Sequence, residues 1–234
     1  MISVWVAVQL SLEEVSALSK RRITFSKLGM GKYISHLDLL RCFTRTIQRS
    51  GLPVVYSQGF NPHQKITFSL PLPIGVTSGC ETVDIMFEDT VSDKEIMEKL
   101  NENLPMDMRV LSVGEPQIKA SEIVAAEYTM KAITDGEIQE SAIKKFFGQE
   151  EIIVMKKTKK KGEKPVNLLD FIRAYEIIEK NTLRVVVDAG GERNLKPEIL
   201  GKSIADFIDG IDDWDIHREK IFYKDNNGLL EEFK

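Results

Sequence analysis

The amino-acid sequence predicts an α+β protein composed of two ferredoxin-like (βαββαβ) domains with antiparallel sheets. First, short segments alternate apolar and polar residues, which is typical of half-buried strands. Second, amphipathic helical segments separate these strands in the order β-α-(β)-β-β-α-β, and two helices on one face of an antiparallel sheet form this architecture. Third, the length of 234 residues suits two domains of about 100 residues each.

The second half of the sequence repeats this element order loosely, without a residue-level repeat. We therefore predict an N-terminal extension at 1–21, a first domain at 22–114, a linker at 115–126 and a second domain at 127–234. The linker is placed there because that segment interrupts the hydrophobic periodicity. The extension is apolar but lacks the basic region and cleavage site of a signal peptide, so we do not predict one.

The first domain begins with an alternating strand at Arg22. An amphipathic helix follows at 35–50, where Ser35 lies three residues before Asp38 as in a capped first turn, and Gly51 ends the helix. The remaining predicted elements are a short strand at 54–57, a loop at 58–64, a strand at 65–71, a loop at 75–80, a half-buried strand at 82–88, a helix from Ser92 that ends before Pro105, and a strand at 108–114.

The second domain shows the same alternation of strand and helix patterns. Its predicted elements are a strand at 127–134, a helix at 137–148, a strand at 150–160, a turn at 162–167, an apolar segment at 168–180 that ends in a strand, a strand at 182–190, a loop and helix at 194–210, and a closing strand at 214–223.

The segment LPLPIG, residues 70–75, is predicted to be an edge or a strand end close to the functional face. Pro71 and Pro73 have no backbone N–H and cannot donate to a neighbouring strand. Gly75 allows the chain to turn away with a positive φ. Alternatively, the prolines serve only to stop the sheet from growing.

Composition is that of an ordinary globular protein, with 42% hydrophobic and 29% charged residues. A net charge of −4 gives no general attraction to nucleic acid, so we expect no DNA partner, and RNA would need a local basic patch. No apolar run approaches the ~18 residues of a membrane span. The two cysteines, Cys42 and Cys80, are best interpreted as free thiols, and we therefore expect a cytoplasmic protein.

Three motifs, SHLDLLR, GLPVVYSQGFNPHQKITFSLPLPIG and ETVDIMF, resemble the radical-SAM-linked DUF2344 family of uncharacterised bacterial proteins. The resemblance spans about residues 22–230 and is most specific between Ser35 and Gly75. In this family the domain occurs alone or fused behind a radical-SAM protein, so the resemblance implies a radical-SAM protein as partner. It implies no settled activity.

Several motifs of known chemistry do not occur in this sequence. The chain has no Cx3CxxC cluster and cannot hold a radical-SAM iron–sulfur centre by itself. It has no phosphate-binding glycine-rich loop before a helix, no GxSxG motif and no metal-ligand spacing among its histidines. We therefore predict no cofactor and no metal.

The loop at 58–64 is a candidate site for binding a substrate or RNA. Its amides Gln58 and Asn61, together with Lys65, can hydrogen-bond to a ligand, and Phe60 can stack on a base. Alternatively, the amides only stabilise a turn around Pro62, and the aromatic ring anchors the loop.

His36 and His63 are the candidate catalytic residues, because a histidine can transfer protons near neutral pH. We expect His36, in the first turn of its helix, to lie within reach of Asn61 or His63 on one concave surface. The alternative for His36 is a partly buried histidine with a structural role only.

Two basic features are candidate RNA contacts. Arg41, Arg45 and Arg49 are predicted to lie on the side of their helix opposite Leu37, Leu39, Leu40, Phe43 and Ile47, either as a solvated face or as contacts to a phosphate backbone. Six lysines occur within nine positions, as either a soluble hairpin tip or an RNA-binding finger. They include Lys156, Lys157, Lys159 and Lys160.

These observations lead to one expected function and two alternatives. We expect a non-catalytic RNA- or substrate-binding companion of a radical-SAM enzyme, in RNA modification or ribosome-related metabolism. The first alternative is an RNA-processing or RNA-modifying enzyme that uses His36 and His63 as general acid and base. The second is a protein-interaction module without a role in RNA.

Overall fold

A computed structural model describes residues 18–158 and 162–234 of the protein. The helices of this part of the chain are α1 (His36–Ser50), α2 (Asp93–Asn103), α3 (Glu140–Phe147) and α4 (Pro197–Phe207), and none of them is long and apolar enough to reach across a membrane. Its strands are β1 (Leu18–Lys27), β2 (Ile66–Phe68), β3 (Val76–Glu88), β4 (Met108–Gly114), β5 (Ile123–Ile133), β6 (Ile153–Thr158), β7 (Gly162–Asn167), β8 (Ile172–Glu179), β9 (Thr182–Asp188), β10 (Asp213–Lys224) and β11 (Leu230–Glu232).

Nine of the strands in these residues form one sheet with the order β4-β1-β3-β10-β5-β9-β8, in which β2 also pairs with β3 and β11 with β10. Every described pairing in this sheet is antiparallel except that of β3 with β10. The prediction of an α+β protein with a mostly antiparallel sheet is confirmed. The sheet is continuous through both halves of the chain, whereas the sequence pattern predicted a separate sheet in each half.

The two halves meet at a seam between β3 and β10. Residues 76–78 lie parallel to residues 216–218, and the hydroxyl of Thr77 is 2.8 Å from Nδ1 of His217. Because the seam joins residues about 140 positions apart, no local pattern in the sequence predicts it. In sequence, the halves are connected by residues 115–122, and β5 begins inside the predicted linker.

Each half has its own apolar core, which packs its helices on its strands. The strands contribute alternate residues and the helices contribute residues three or four apart, as their geometries require. The first core includes Ile23, Phe25, Phe43, Val83, Ile85, Ile96 and Leu100. The second includes Tyr128, Met130, Ile143, Phe146, Val185, Leu200 and Ile204, together with Val76 from the first half.

Helix α1 has the bounds that the sequence predicts. The Ser35 hydroxyl accepts a hydrogen bond from the Asp38 N–H at 3.2 Å, and Gly51 ends the helix in a left-handed conformation with φ of 66°. Leu37, predicted to face the core, is instead 63% exposed. Two residues turn an α-helix by about 200°, so Leu37 points away from the buried Leu39.

Several strands differ from their predicted extents because long-range pairing decides where a strand begins and ends. Strand β3 includes residues 76–80, which were predicted as part of a loop, and the seam with β10 pairs residues 76–78. Strand β2 is limited to three residues, and the predicted strand at 54–57 forms only isolated bridges. Strand β7 forms where a turn was predicted, and it pairs with β6 in a separate two-stranded sheet. Both strands of this sheet are edge strands, and an edge strand tolerates a proline such as Pro165.

Candidate functional site

Beside the seam, one arginine connects three strands with the proline-containing segment 70–75. Arg218 on β10 is only 1% exposed, and its Nη1 donates to the Glu81 carboxylate at 2.9 Å. The guanidinium also donates to the carbonyl oxygens of Leu70 at 3.0 Å and Pro71 at 3.1 Å, and to the Tyr128 hydroxyl at 3.2 Å. Burial lowers the pKa of Arg218, but the combined effects of Glu81, Tyr128 and Cys80 outweigh it, so the pKa is raised and the arginine stays charged.

A second buried cation lies near the same carboxylate. Lys27 at the end of β1 is 1% exposed, and its Nζ donates to the Ile34 carbonyl at 3.1 Å. Burial lowers the pKa of Lys27, the charge of Glu81 acts against this, and that of Arg218 adds to it. The residues before α1 and the segment after β2 are therefore both held by buried charges.

Segment 70–75 is a strand end, as its prolines predict. Strand β2 stops at Phe68. Beyond it, the carbonyl groups of Leu70 and Pro71 accept hydrogen bonds from the Arg218 side chain. Gly75 has the predicted positive φ, at 89°, and its N–H donates to the Lys32 carbonyl at 2.8 Å. That the segment belongs to a functional face stays a prediction.

A cleft of about 570 Å³, here called the central cleft, lies between the start of α1 and the start of α4. Segment 70–74 forms one wall, and buried Arg218 lies at the cleft as well. The polar groups lining it include His36, Tyr128, Lys196 and Glu198. A cleft with several convergent titratable groups is the default candidate for a binding site.

The central cleft shares lining residues with two other cavities. Ile74 and Glu198 are shared with a larger cleft of about 970 Å³, here called the distal cleft, across which Lys32 and Asp215 form an ion pair at 3.2 Å. Residues 194–196 are shared with an apolar pocket of about 400 Å³, here called the hairpin pocket, which lies at the base of β6 and β7. The three adjoining cavities are here together called the groove.

Glu198, where the central and distal clefts meet, has an unusual carboxyl group. Its Oε2 is buried and has no hydrogen-bond partner among the described residues. Burial raises the pKa of Glu198, against the effects of its own backbone N–H, Lys196 and Arg218. A buried polar atom without a partner costs free energy, so this carboxyl group is in an unfavourable environment.

The two candidate catalytic histidines are not brought together. His36 is exposed, packs edge-on against Phe68 with ring centroids 5.4 Å apart, and lines the central cleft. His63 lies in the loop, with Nδ1 2.9 Å from the Ser57 hydroxyl. Among the described residues, no hydrogen bond or ring contact joins His36 to Asn61 or His63, so the expected composite surface is not formed.

The separation follows from where each element meets β3. The loop at 58–64 is anchored beside the end of β3, where the Val55 N–H donates to the Met86 carbonyl at 2.9 Å. The chain that leads into α1 is anchored at the other end, where Lys32 accepts from Gly75 just before β3 begins. The sequence-based expectation failed because the order of the elements does not specify which end of the strand the loop approaches.

The polar side chains of the loop are accessible to a ligand. Gln58, Asn61 and Lys65 are exposed, and Phe60 is fully exposed, so the ring does not anchor the loop. Gln64 is the buried amide of this region, and its Nε2 donates to the Tyr56 hydroxyl at 3.4 Å.

The arginines of α1 lie on its exposed side, as predicted, and line a shallow pocket with Pro105. Arg41 pairs with Asp38 at 2.9 Å, and Arg49 donates to the Asn103 carbonyl at 2.6 Å. Arg45 lies between them and is exposed. Two of the three arginines are therefore already engaged within the protein.

The lysine-rich segment belongs to the β6–β7 ribbon, residues 153–167, here called the lysine hairpin. Lys156 pairs with Lys164 and Lys157 with Glu163 in the strand register. Lys159 and Lys160 lie outside the described residues. The ribbon is separate from the main sheet, and its base packs on Leu168 next to the hairpin pocket.

Sequence reasoning missed Arg218, Glu81, Lys27 and Glu198. Arg218 and Lys27 occupy strand positions that resemble solvent-facing charges, and Glu198 resembles an ordinary acidic residue in the first turn of a helix. The one usable signal was segment 70–75. Its prolines indicated a break in strand pairing, and there the carbonyl groups of Leu70 and Pro71 accept from Arg218.

Comparison with known proteins identifies a family but no activity. A search of curated proteins finds no match to this chain. The model of the DUF2344 family matches residues 20–197, which is most of the chain and includes the segment before α1, segment 70–75, the lysine hairpin and the start of α4. The chain therefore belongs to DUF2344, a family described as an uncharacterized protein conserved in bacteria.

Proposed function

We propose that this chain is a non-catalytic RNA- or substrate-binding companion of a radical-SAM enzyme, acting in RNA modification or ribosome-related metabolism. The single observation that carries the RNA part is the groove that leads from the base of the lysine hairpin to the central cleft. A basic projection beside an open groove offers one surface for a phosphate backbone and another for the bases.

The charge of the hairpin supports this proposal. Residues 156–164 contain six lysines and one glutamate, in a protein whose net charge is −4. A local positive excess of this kind binds phosphates through the release of counterions, which gives salt-dependent affinity with little sequence preference. Recognition of a particular RNA would then depend on the groove.

An exposed apolar patch supports the companion role. Met30, Tyr33, Leu37 and Ile74 are each more than half exposed, and Tyr33 and Ile74 also line the distal cleft. Large exposed apolar side chains that occur close together mark protein-interaction surfaces. The family resemblance makes a radical-SAM protein the partner we propose for this patch.

The first test replaces Lys156, Lys157, Lys159 and Lys160 with glutamate. We expect RNA affinity at low salt to fall by about tenfold or more, and the dependence of log affinity on log salt to become shallower by about 2–3, because up to four phosphate contacts are lost. Fluorescence anisotropy with single-stranded RNA at several salt concentrations measures both quantities. The melting temperature should change little, because β6 and β7 form a two-stranded sheet separate from the main sheet.

A control variant carries the same change in net charge elsewhere. It replaces Lys94, Lys99, Lys220 and Lys224, which lie on α2 and β10 away from the groove, with glutamate. RNA affinity of this variant should stay close to that of the natural protein. If both variants lose affinity equally while folded, the attraction is general and the hairpin is not the binding element.

The second test measures hydrogen exchange with and without a radical-SAM protein from the same bacterium. We expect slower exchange at 29–37 and 74–80, which contain the apolar patch, because a docked partner excludes water from these amides. Helix α3 provides an internal reference and should not change. Complex formation without protection of these segments would exclude the patch, and failure of every radical-SAM protein of the organism to bind would contradict the companion role.

We infer a second candidate function, an RNA-processing or RNA-modifying enzyme, from the shared position of His36 and Glu198. Both residues line the central cleft, and a raised carboxyl pKa suits a general acid. His63 is outside this cleft, so Glu198 takes its place in the pair. Cleavage or modification of RNA by the purified chain alone, abolished in His36→Asn, distinguishes this function from the first.

We also infer that each half is a ferredoxin-like unit. The antiparallel orders β4-β1-β3-β2 and β10-β5-β9-β8 support this, because each follows the spatial order 4-1-3-2 of its own strands. In the second unit the lysine hairpin is an insertion between α3 and β8.

A further inference from the structure

The loop at 58–64 has no part in the function proposed above, although hydrogen bonds at its base hold it in a defined shape. The Ser57 N–H donates to the His63 carbonyl at 2.8 Å, and the His63 N–H donates back to the Ser57 hydroxyl at 3.1 Å. One residue pair closer to the sheet, the Lys65 N–H donates to the Val55 carbonyl at 3.0 Å. Because its two ends are already joined, the loop loses little conformational entropy when it binds a ligand.

Phe60, at the tip of this loop, is the residue whose position the fold does not explain. Its side chain is fully exposed, and the residues on either side of it, 58–59 and 61–62, are exposed as well. Leaving a phenylalanine ring in water forgoes about 1.5–3 kcal/mol that burial would provide. A ring that is held in solvent by a closed loop is suited to stack on a flat surface of a ligand.

The sequence around the loop contains cations but no carboxylates, which favours an anionic ligand. No aspartate or glutamate occurs between Asp38 and Glu81, although the chain contains 36 acidic residues in 234. Lys65 is exposed, and its ammonium group can pair with a phosphate. The exposed amides of Gln58 and Asn61 each offer donors and an acceptor, which are the groups that bind the edge of a base. The ring, the amides and the cation together fit a nucleotide.

Resting on the proposed RNA-binding function, we propose that Phe60 stacks on one unpaired base of the RNA, so that the loop selects single-stranded nucleotides over a continuous duplex. Inside a duplex the faces of each base are covered by its neighbours, whereas an unpaired base can turn out onto an aromatic ring. Such stacking contributes about 1–3 kcal/mol per base and tolerates every base, because each has a π face. The loop therefore distinguishes the strand state of the RNA with little preference for its sequence.

The experiment uses the full chain and two RNA probes, a short unstructured single strand and the same strand annealed to its complement. Affinities are measured by fluorescence anisotropy for the natural protein, Phe60→Ala, Phe60→Trp and the control Met106→Ala, whose side chain is also fully exposed. We expect Phe60→Ala to bind the single strand about tenfold more weakly and the duplex as tightly as the natural protein does. Its salt dependence should not change, because no phosphate contact is lost.

The two other variants show whether the ring itself is responsible. Phe60→Trp keeps an aromatic ring and should retain the affinity for the single strand, and Met106→Ala should leave both affinities unchanged. Equal affinity of Phe60→Ala and the natural protein for the single strand, or an equal loss for both probes, would overturn the stacking assignment and leave the RNA function in place.

Two further results separate the inference from the proposed function. If the natural protein bound neither probe at low salt, both the RNA function and the stacking assignment would be overturned. If Phe60→Ala lost binding to the radical-SAM protein but kept its affinity for the single strand, the ring would belong to the protein interface, and the stacking assignment alone would be overturned.

Discussion

Replacing Arg218 with methionine lowers the free energy of unfolding by about 3–5 kcal/mol, because the variant leaves the Glu81 carboxylate buried without its partner. Glu81 is 3% exposed and cannot recover the lost interaction from water. The carbonyl groups of Leu70 and Pro71 lose their donors as well. Urea denaturation followed by circular dichroism measures the change.

Two further variants make this result interpretable. Arg184→Met on β9, which is separated from β10 by β5, removes an exposed ion pair to Glu176 and should cost less than about 1 kcal/mol. The double variant Arg218→Met, Glu81→Leu should be more stable than Arg218→Met alone, since the carboxylate that lost its arginine is removed as well. A cost for Arg218→Met no larger than that of Arg184→Met would show that the buried arginine does not hold the halves together.

Replacing Gly190 with alanine lowers the free energy of unfolding by about 2–5 kcal/mol through steric overlap and backbone strain. A Cβ at this position would lie 2.3 Å from the carbonyl oxygen of Ile123, a backbone atom that cannot swing aside, and φ is 149°. Because Gly190 also lines the central cleft, we expect the variant to bind RNA more weakly as well. Thermal and urea denaturation measure the first effect, and anisotropy the second.

The adjacent glycine is the matched control for this change. A Cβ at Gly191 meets no atom within 4 Å, and its φ is not in the left-handed region. Gly191→Ala should therefore change stability by less than about 0.5 kcal/mol. If the two alanine variants were equally stable, the close approach of Gly190 to β5 would not exist in solution.

Local signals predicted the elements whose ends are fixed by neighbouring residues. Ser35 and Gly51 specify both ends of α1, and the α+β class follows from the alternation of patterns. The extent of β3 could not be predicted, because its first residues, 76 and 77, pair with β10, which lies about 140 positions further along the chain. Leu37 shows the same limit on a smaller scale, since a sequence rich in leucine does not state which leucine faces the sheet.

The candidate site was predictable only where it lies in one continuous stretch. The prolines of segment 70–75 indicated carbonyl groups without a conventional partner, and the lysines of the hairpin indicated a basic projection. Arg218 lies 137 positions from Glu81, and its burial depends on the seam. Glu198 became notable only through the missing partner of its Oε2, which requires three-dimensional structure.

The lysine hairpin begins and ends at almost the same point of the fold. The Leu168 N–H donates to the Ile152 carbonyl at 2.9 Å, and the Ile152 N–H donates to the Asn167 side chain at 2.9 Å. The ribbon can therefore be lengthened, shortened or exchanged during evolution without moving a strand of the main sheet, as insertions at closely spaced ends are well tolerated.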